Sequence, residues 1–369
     1  MKIISTGYSY TAAFADPEEW LKRISFHTGI LEALAKKHEV ISTEQISYSG
    51  ELLQNGVHYH FIDPRNYHFY FPWKLHRYIK KQHPDIILVN GFVFPWQLIQ
   101  LRHALGKKIK IAVINHAEKP SAGLRKLLQR VADRYVQWHF FTSREAGAEW
   151  VKNGIIARQD KIVEAMEASS FFKPMEKEEA VVHTQVTGSP VFLFVGRLDA
   201  NKDPLTVLKA FASYVTQQPG ARLYMIYHTE ELLGDIQAYL EKDIDLSCAV
   251  KLVGRVAHPE MEYWYNSADF IISASHYEGS GVAVCEAMGC SCIPILTNIP
   301  SFRMMTAKGS CGFLYEPGDA DGLSAILLQT VKLDKEEEKK KVLQQFRQTL
   351  SFKAIAAKME ETFGLPDIK

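Results

Sequence analysis

The chain has 369 residues, of which 47% are hydrophobic and 23% charged, a composition that excludes a disordered or collagen-like protein. Its 43 Lys and Arg residues against 42 Asp and Glu residues give a formal net charge of +1, which argues against a nucleic-acid binder. At roughly 150 residues per domain, the length predicts two domains. Because no apolar run reaches the roughly 18 to 20 residues of a membrane helix and the N-terminus turns polar too early for a signal peptide, we expect a cytoplasmic protein.

Short apolar runs alternate with amphipathic stretches along the first half of the chain. The apolar runs predict strands at 3–4, 86–89, 109–114 and 138–142. The amphipathic stretches predict helices at 28–37, 73–82 and 145–152. Strands that alternate with helices form parallel sheets covered on both faces, so we predict a doubly wound N-terminal domain at 1–174.

A polar segment without apolar periodicity follows, and it predicts a linker at 175–189. The alternation then resumes, with strands predicted at 191–195, 222–227, 250–253 and 270–272. We predict a second doubly wound domain at 190–350 and a C-terminal helix at 351–369 that packs back on the N-terminal domain. The predicted fold class is α/β, with two Rossmann-like domains facing a central cleft, where ligands bind beyond the carboxyl ends of the strands.

The five cysteines are an odd number, which argues against a disulfide framework. Cys285, Cys290 and Cys292 are close enough in sequence to consider as metal ligands, but no second Cys/His pair stands at finger-like spacing. We therefore predict small buried thiols and no metal site.

Charge is unevenly distributed along the chain, with a net charge of +6 in 1–180 and −5 in 181–369. The basic excess lies mainly in 101–150, on one predicted helix and its flanks at Lys119, Arg125, Lys126, Arg130 and Arg134. Such a helix suits an anionic membrane surface or an acidic acceptor, and a solvated helix face is the other interpretation.

The loop after the strand at 191–195 carries two cations before a helix begins. Arg197 follows Gly196, and Lys202 comes five residues after Arg197. At the carboxyl end of a buried strand this pair suits a diphosphate, because Arg can chelate two oxygens and Lys adds a mobile charge. An ordinary charged surface loop is the alternative.

A second loop, at 276–289, follows the strand at 270–272 and leads into a short helix. Gly279 and Gly281 allow close approach of a ligand to backbone N–H groups at the helix start, a site suited to phosphate or sugar oxygens. Glu278 and Glu286 flank this turn and would repel phosphate, so we interpret them as acceptors for sugar hydroxyls. For Glu286 the alternative is an ion pair within the helix packing.

These motifs make 190–320 resemble the donor-binding domain of retaining GT-B glycosyltransferases, specifically glycosyltransferase family four. The matching segments, in the family's order, are 194–198 with Lys202, 251–256, 267–275, Glu278 with Glu286, and 312–319. Towards the N-terminus the resemblance weakens, but it still covers 36–40 and the strand ending at Asn115 and His116.

The resemblance implies a nucleotide-diphospho-sugar as co-substrate and no metal or cofactor. The implied catalytic residues are Arg197 and Lys202 on the diphosphate, Glu278 on donor-sugar hydroxyls, and His116, which would bond the donor sugar. Other implied donor-binding residues are Glu286 on the ribose, the backbone at Gly279, Ser280, Gly281 and Val282, the base-binding Arg255 and Val256, and Gly7. A lone histidine is more often a packed or surface residue, and it is the position of His116 in the family pattern that favours the functional interpretation.

Several positions depart from the family pattern. The first loop, at 6–11, has one glycine where relatives carry a pair, and Asp203 stands where glycine commonly follows the lysine. The run 166–169, Met-Glu-Ala-Ser, replaces Asn-Gly-Val-Asp, and 300–301 is Pro-Ser in place of Gly-Gly.

The function implied is that of a retaining glycosyltransferase that moves a sugar from a nucleotide-diphospho-sugar to a glycan or lipid-linked acceptor, at the inner membrane face through 119–134. One alternative is a GT-B protein that binds a nucleotide sugar with little or no turnover. Another is a different GT-B enzyme, a phosphorylase or an epimerase. No GxGxxG fingerprint is present, which counts against NAD chemistry.

Overall fold

A computed structural model describes residues 1–66 and 70–364, without the side chain of Asn66. The chain divides into two compact units. Unit 1 is Met1–Ser169 together with the segment from Phe352 onward, and unit 2 is Ser170–Ser351. Among the helices of the described residues, none is both long and apolar enough to span a bilayer.

The strands of unit 1 form one twisted sheet. They are β1 (Lys2–Thr6), β2 (Glu39–Gln45), β3 (Gly50–Gln54), β4 (Val57–Ile62), β5 (Ile86–Asn90), β6 (Lys110–Ile114), β7 (Trp138–Phe141) and β8 (Ile162–Glu164). Their order across the sheet is β3-β4-β2-β1-β5-β6-β7-β8. The pairings are parallel except for the hairpin β3–β4, whose turn, Asn55-Gly56, has positive φ at both residues. The central strands are buried on both faces, which explains their continuous apolar sequence.

Helices cover this sheet. They are α1 (Pro17–Arg23), α2 (Ser25–Ala35), α3 (Trp73–Lys81), α4 (Pro95–Leu105), α5 (Gly123–Asp133) and α6 (Arg144–Lys152). Local sequence determines where two of them begin: the Asp16 side chain accepts hydrogen bonds from the first turn of α1, and Ser143 does the same for α6. The predicted helices at 28–37, 73–82 and 145–152 correspond to α2, α3 and α6.

Unit 2 begins with helix α7 (Lys177–Thr184). Its strands are β9 (Val191–Val195), β10 (Arg222–Ile226), β11 (Val250–Gly254), β12 (Phe270–Ser273), β13 (Ile293–Thr297) and β14 (Phe313–Tyr315). They form a parallel sheet in the order β11-β10-β9-β12-β13-β14. Its core includes Phe192, Phe194, Phe211 and Tyr214.

The remaining helices of unit 2 connect and cover these strands. They are α8 (Pro204–Val215), α9 (Leu233–Leu240), α10 (Ile244–Ala249), α11 (Met261–Ser267), α12 (Val282–Gly289), α13 (Pro300–Met305), α14 (Ala320–Gln329) and α15 (Lys335–Gln345). Helix α8 begins at Pro204, and the side chain of Asp203 accepts from the backbone N–H of Thr206. A π-helical turn, Phe346–Leu350, ends the unit.

Residues 175–189 do not form the predicted linker. They contain helix α7 and belong to unit 2. Lys177 Nζ lies 2.9 Å from the buried carboxylate of Asp269, and the backbone N–H of Met175 donates to Asn266. A helix that is held by such polar contacts needs few apolar residues, so a search for apolar periodicity did not detect α7. The division between the units falls after Ser169 rather than after residue 174.

The last described helix, α16 (Phe352–Phe363), belongs to unit 1. The Phe352 ring packs directly on Gly29 of α2, so closely that a Cβ at that glycine would lie 2.6 Å from the ring. Lys37 Nζ lies 2.7 Å from the Glu360 carboxylate, and the Phe363 ring packs against Trp138 of β7. Helix α16 is therefore part of the covering layer of the first sheet.

Candidate functional site

The first cation-bearing loop, 196–203, leaves the carboxyl end of β9. Arg197 is about half exposed, and its guanidinium lies 3.1 Å from Asp199 Oδ2. The other carboxylate oxygen of Asp199 accepts from the backbone N–H of Lys202 at 2.9 Å. Asp199 therefore links the Arg197 guanidinium to the backbone of Lys202 and leaves that guanidinium half exposed.

Lys202 and Glu278 are brought into direct contact. Lys202 Nζ forms an ion pair with Glu278 Oε1, which also accepts a hydrogen bond of 2.9 Å from the Ser275 hydroxyl. The two loops are further joined because the backbone N–H of His276 donates to the Asn201 carbonyl at 2.8 Å. This meeting follows from the topology, since β9 and β12 are paired parallel strands and their carboxyl ends lie at the same edge.

The glycine turn between Glu278 and α12 has a backbone that requires glycine at one position. Gly281 has a φ of 53° and precedes the helix, and a Cβ there would lie 2.8 Å from Phe302 Cε1. The backbone from Gly279 and Ser280 to Val282 thus reaches the start of α12 beside Glu278. Helix N-termini present N–H donors and a partial positive charge, so this turn can receive an anion or a sugar oxygen.

Glu286 lies in α12 and its side chain is 7% exposed. Its Oε1 is 2.7 Å from His258 Nε2, and its Oε2 accepts from the Tyr265 hydroxyl at 2.9 Å. Burial, reinforced by the Glu286 carboxylate, raises the pKa of Tyr265, so this hydroxyl keeps its proton and donates. The His258 ring also stacks on Phe172, with centroids 5.1 Å apart.

The segment predicted to receive the base, Arg255 and Val256, follows β11 and leads directly to His258. His258 thus connects this segment to Glu286, while Glu278 contacts Lys202. The structure places the predicted residues of unit 2 in two neighbouring groups around α12. The alternative interpretation of Glu286, an ion pair within the helix packing, corresponds to its contact with His258 when that imidazole is protonated.

His116 lies in unit 1, just beyond the carboxyl end of β6. Its Nδ1 forms an ion pair with Glu167, and its backbone N–H donates to Glu118 Oε2 at 2.6 Å. The His27 ring contacts His116 edge to face at 5.8 Å. Gly7, beyond the end of β1, accepts from the Gln45 side chain at 2.7 Å.

Burial and charge act in opposite directions on these histidines. Burial lowers the pKa of His116, but the hydrogen bond and charge of Glu167, with Glu118, raise it further, so the net shift is upward. For His27, burial and then the charge of His116 lower the pKa to about 4. The two pKa shifts are therefore opposite in direction, upward for His116 and downward for His27.

Three of the five cysteines lie close to the Glu286 contacts: Cys285 in α12, Cys290 just after it, and Cys292, whose charge, like that of Cys290, acts on Tyr265. Cys285, Cys290, Cys292 and Cys311 are buried. Burial raises the pKa of Cys290 and Cys292, which keeps them protonated. Within residues 1–66 and 70–364, no group of three or more His, Cys, Asp or Glu side chains is arranged to hold a metal ion.

The sequence analysis missed the residues that hold the candidates in place. In unit 2 these are Asp199, Ser275, His258 and Tyr265, and in unit 1 they are Glu167, Glu118 and His27. Two of them had a sequence signal: Ser275 ends the matching segment 267–275, and Glu167 lies in the run Met166–Ser169 that departs from the family pattern.

Two Rossmann-like units, one with cations, a carboxylate and a glycine turn at the carboxyl edge of its sheet, define a doubly wound α/β protein, a class in which ligands bind at that edge. Residues 175–347 match the family model of the glycosyl transferases group 1. The match lies within unit 2, and the predicted resemblance is confirmed.

Curated relatives share part of the sequence. D-inositol 3-phosphate glycosyltransferase of Pseudarthrobacter chlorophenolicus is 24% identical over 225 residues, which is 59% of this chain and 53% of the relative. The GDP-mannose:cellobiosyl-diphosphopolyprenol alpha-mannosyltransferase of Xanthomonas campestris is 28% identical over 144 residues, 37% of each chain. Across the D-inositol 3-phosphate glycosyltransferases that it matches, this chain spans from about a third to just over half of the length of the relative.

Solved structures resemble the whole chain. A glycosyltransferase from Rickettsia africae has a TM-score of 0.73 at 16% identity and covers 98% of this chain and 97% of its own. Anabaena HepE in complex with UDP-glucose has a TM-score of 0.68 at 14% identity, covering 98% and 99%. These similarities confirm the predicted fold class, two Rossmann-like domains of the GT-B type.

Proposed function

We propose that the protein is a glycosyltransferase that moves a sugar from a nucleotide-diphospho-sugar to a glycan or lipid-linked acceptor. The observation that carries this proposal is the contact between Lys202 and Glu278 beside the glycine turn, within the segment that matches the glycosyl transferases group 1 family model. A cation for phosphate and a carboxylate for hydroxyls lie there side by side, and an activated sugar presents these two chemistries next to each other.

In this proposal, Arg197 and Lys202 hold the diphosphate. Arg197 is exposed enough to chelate phosphate oxygens, and Lys202 would exchange part of its contact with Glu278 for a phosphate oxygen. As the sugar–phosphate bond breaks, negative charge grows on the leaving nucleotide diphosphate, and the two cations stabilise it. Once Lys202 is shared between Glu278 and the phosphate, the Glu278 carboxylate accepts hydrogen bonds from donor-sugar hydroxyls.

The nucleoside is proposed to lie on the other side of α12. Glu286 would accept from the ribose hydroxyls, and the backbone at Arg255 and Val256 would face the base. The N–H groups from Gly279 to Val282 would bind donor oxygens. In unit 1, Gly7 and His116 are the proposed donor contacts, and Glu167 holds the His116 imidazole through its Nδ1.

We further propose that transfer proceeds with retention at the anomeric carbon and needs no metal or cofactor. Arg197 and Lys202 supply the positive charge that a divalent cation supplies elsewhere. The names of two similar proteins suggest a UDP- or a GDP-linked sugar as donor. A lipid-linked acceptor would bring the protein to the cytoplasmic face of a membrane, through the basic segment 119–134.

Donor binding and transfer are tested together with purified full-length protein. Thermal shift with UDP, GDP, ADP and CMP identifies the nucleotide, because a ligand that binds only the folded state raises the melting temperature. Hydrolysis of the matching nucleotide sugar is then followed by nucleotide release. Arg197→Ala should lose both signals while keeping its circular dichroism spectrum; full binding and turnover in this variant would refute the site.

A second candidate function is binding of a nucleotide sugar without turnover. It is favoured by the ion pair between Lys202 and Glu278, which neutralises the ammonium group within the protein. Such a protein would show the thermal shift but no nucleotide release from any donor, with or without lipid-linked acceptors.

A further inference from the structure

Helix α5 has an apolar stripe that points away from unit 1. Leu124 is 73% exposed, Leu127 55% and Val131 37%. Their spacing of three and four residues places them on one face of the helix. The opposite face is buried through Gln129 and Ala132, so the exposed stripe is additional to the face that packs on the sheet.

Exposed aromatic residues also lie on or next to the neighbouring helices α3 and α4. The Arg125 side chain donates to the Val93 carbonyl, which brings the starts of α4 and α5 together. Trp96, in the first turn of α4, is 40% exposed, and its ring lies 6.4 Å from that of Phe71, which is 55% exposed. Trp73, at the start of α3, is 54% exposed. We name the set Phe71, Trp73, Trp96, Leu124, Leu127 and Val131 the outer face.

The charge around the outer face is strongly positive. Residues 70–134 contain thirteen Lys and Arg residues and three Asp and Glu residues. The acidic side chains are held within unit 1: Asp133 contacts His139 and Lys161, Glu118 binds backbone at His116, and Asp85 accepts from the backbone of Lys2. The three carboxylates of this segment are therefore engaged within unit 1, and its net charge is +10, thirteen basic minus three acidic residues.

On α5 itself, Lys126 and Arg130 are four residues apart and lie on one side of the apolar stripe, and Arg130 is exposed. A helix with an apolar stripe bordered by basic residues is suited to lie in the plane of a lipid headgroup region. Tryptophan is suited to the same depth, because its ring is apolar and its N–H is polar.

We propose that the outer face docks on the surface of an anionic phospholipid bilayer, with Trp73, Trp96 and Leu124 entering the headgroup layer. The inference deepens the proposed membrane contact and rests on the proposed function, for which the bilayer is the source of a lipid-linked acceptor. A second copy of the chain fits the face less well, because two such surfaces would bring positive charge against positive charge. An acidic soluble partner would satisfy the charge but leave the aromatic rings without an apolar environment.

Flotation of the full-length protein with vesicles tests this proposal. Binding is expected to vesicles of phosphatidylcholine mixed with phosphatidylglycerol, with much weaker binding to phosphatidylcholine alone, and added salt should weaken it. Absence of binding to the anionic vesicles would overturn the proposal. The proposal would also be overturned if light scattering showed that the protein is a dimer and that Leu127→Glu makes it monomeric.

Paired variants separate the apolar and the charged contributions. Lys126→Gln with Arg130→Gln should weaken vesicle binding roughly tenfold or more, and Leu124→Ser with Leu127→Ser by a similar factor. The matched controls lie in unit 2: Lys340→Gln with Arg347→Gln for charge, and Val182→Ser with Ile244→Ser for exposed apolar residues. Equal binding by test and control variants would contradict the assignment of the face.

Tryptophan fluorescence reports which surface inserts. Trp73 and Trp96 are exposed, whereas Trp138 and Trp150 are fully buried. Anionic vesicles should shift the emission to the blue, and Trp73→Phe with Trp96→Phe should remove the shift; a shift that persists would place the contact elsewhere. Nucleotide thermal shift, measured without lipid, should be unchanged in all these variants, so loss of vesicle binding is distinguishable from loss of the donor site.

Discussion

The two units differ in how their candidate residues are held. In unit 2, Lys202 and Glu278 lie in loops that follow adjacent parallel strands, so each belongs to a local sequence motif and the sheet brings them together. In unit 1, the residues around His116 come from distant parts of the chain. His27 and Glu167, for example, are 140 residues apart in sequence, and the His27 ring forms a hydrogen bond with the Glu167 backbone carbonyl. Local motifs can be recognised in one sequence, but contacts of the second kind depend on the complete fold.

The largest effect is expected from Lys202→Ala in unit 2. Loss of the charge that stabilises the leaving diphosphate should lower kcat/KM for the donor roughly 10²- to 10³-fold. The measurement is nucleotide release under initial-rate conditions. Lys209→Ala, an exposed lysine of α8, is the control and should retain activity. A decrease of less than twofold in Lys202→Ala would remove this loop from the proposed site.

Glycine substitutions compare the two units directly. Gly281→Ala should destabilise unit 2 by about 1–2 kcal/mol from its positive φ alone, with a further cost of about 1–3 kcal/mol from the overlap with Phe302. Gly7→Ala in unit 1 places a Cβ at 3.6 Å from Asn90, an ordinary contact, and should be tolerated. Urea unfolding measures both. Gly234→Ala, where nothing lies near the added Cβ, is the neutral control. Equal stability of the Gly281 and Gly234 variants would contradict the constraint at the turn.

The buried histidine of unit 1 predicts a pH dependence of stability. Burial, then the charge of His116, lowers the pKa of His27 from 6.5 to about 4 in the folded protein. Below pH 6.5 the unfolded chain therefore binds a proton that the folded protein does not, so stability falls as the pH drops from 6.5 towards 4. Between pH 7 and pH 5, the free energy of unfolding should therefore fall by about 2 kcal/mol less in His27→Gln than in the wild type.

Chemical unfolding at both pH values measures this difference. His228→Gln, an exposed histidine of unit 2, serves as the control and should leave the pH dependence as it is. If the wild type and His27→Gln lost the same stability on acidification, His27 would be excluded as its source.

The smallest effect is expected at Asp199. Its ion pair with Arg197 is half exposed, so Asp199→Asn should change the free energy of unfolding by less than about 1 kcal/mol. The amide oxygen can still accept from the backbone of Lys202. Because the competing carboxylate is removed, the affinity for the nucleoside diphosphate should rise a few-fold, as measured by calorimetry; weaker binding would show that Asp199 positions Arg197 for its ligand.

Much of the fold could be predicted because strands buried on both faces have continuous apolar sequences. This applies to β5, β6, β9 and β12, which correspond to predicted runs. The hairpin β3–β4 was missed although Asn55-Gly56 is a typical turn sequence, because its strands alternate between exposed and buried residues and carry polar side chains. Helix α7 was missed because polar contacts such as Lys177 with Asp269 hold it.

The candidate site could be predicted only in part. Arg197, Lys202, Glu278 and Glu286 were found because their spacing relative to strands and glycines has a chemical meaning. Their partners were not, because Tyr265 and His258 are ordinary residues until the fold packs α11, and the segment before it, against α12. Departures from a family pattern proved informative in one case, since Glu167 is the residue that contacts His116.

Helix α16 has a consequence for the order in which the chain completes its structure during synthesis. Unit 2 is continuous, whereas unit 1 receives its last layer from a segment that begins at Phe352. A ribosome therefore delivers the whole of unit 2 before it delivers the ring that packs on Gly29. Until then α2 has an uncovered apolar surface, so the first part of the chain to be made is the last to be finished.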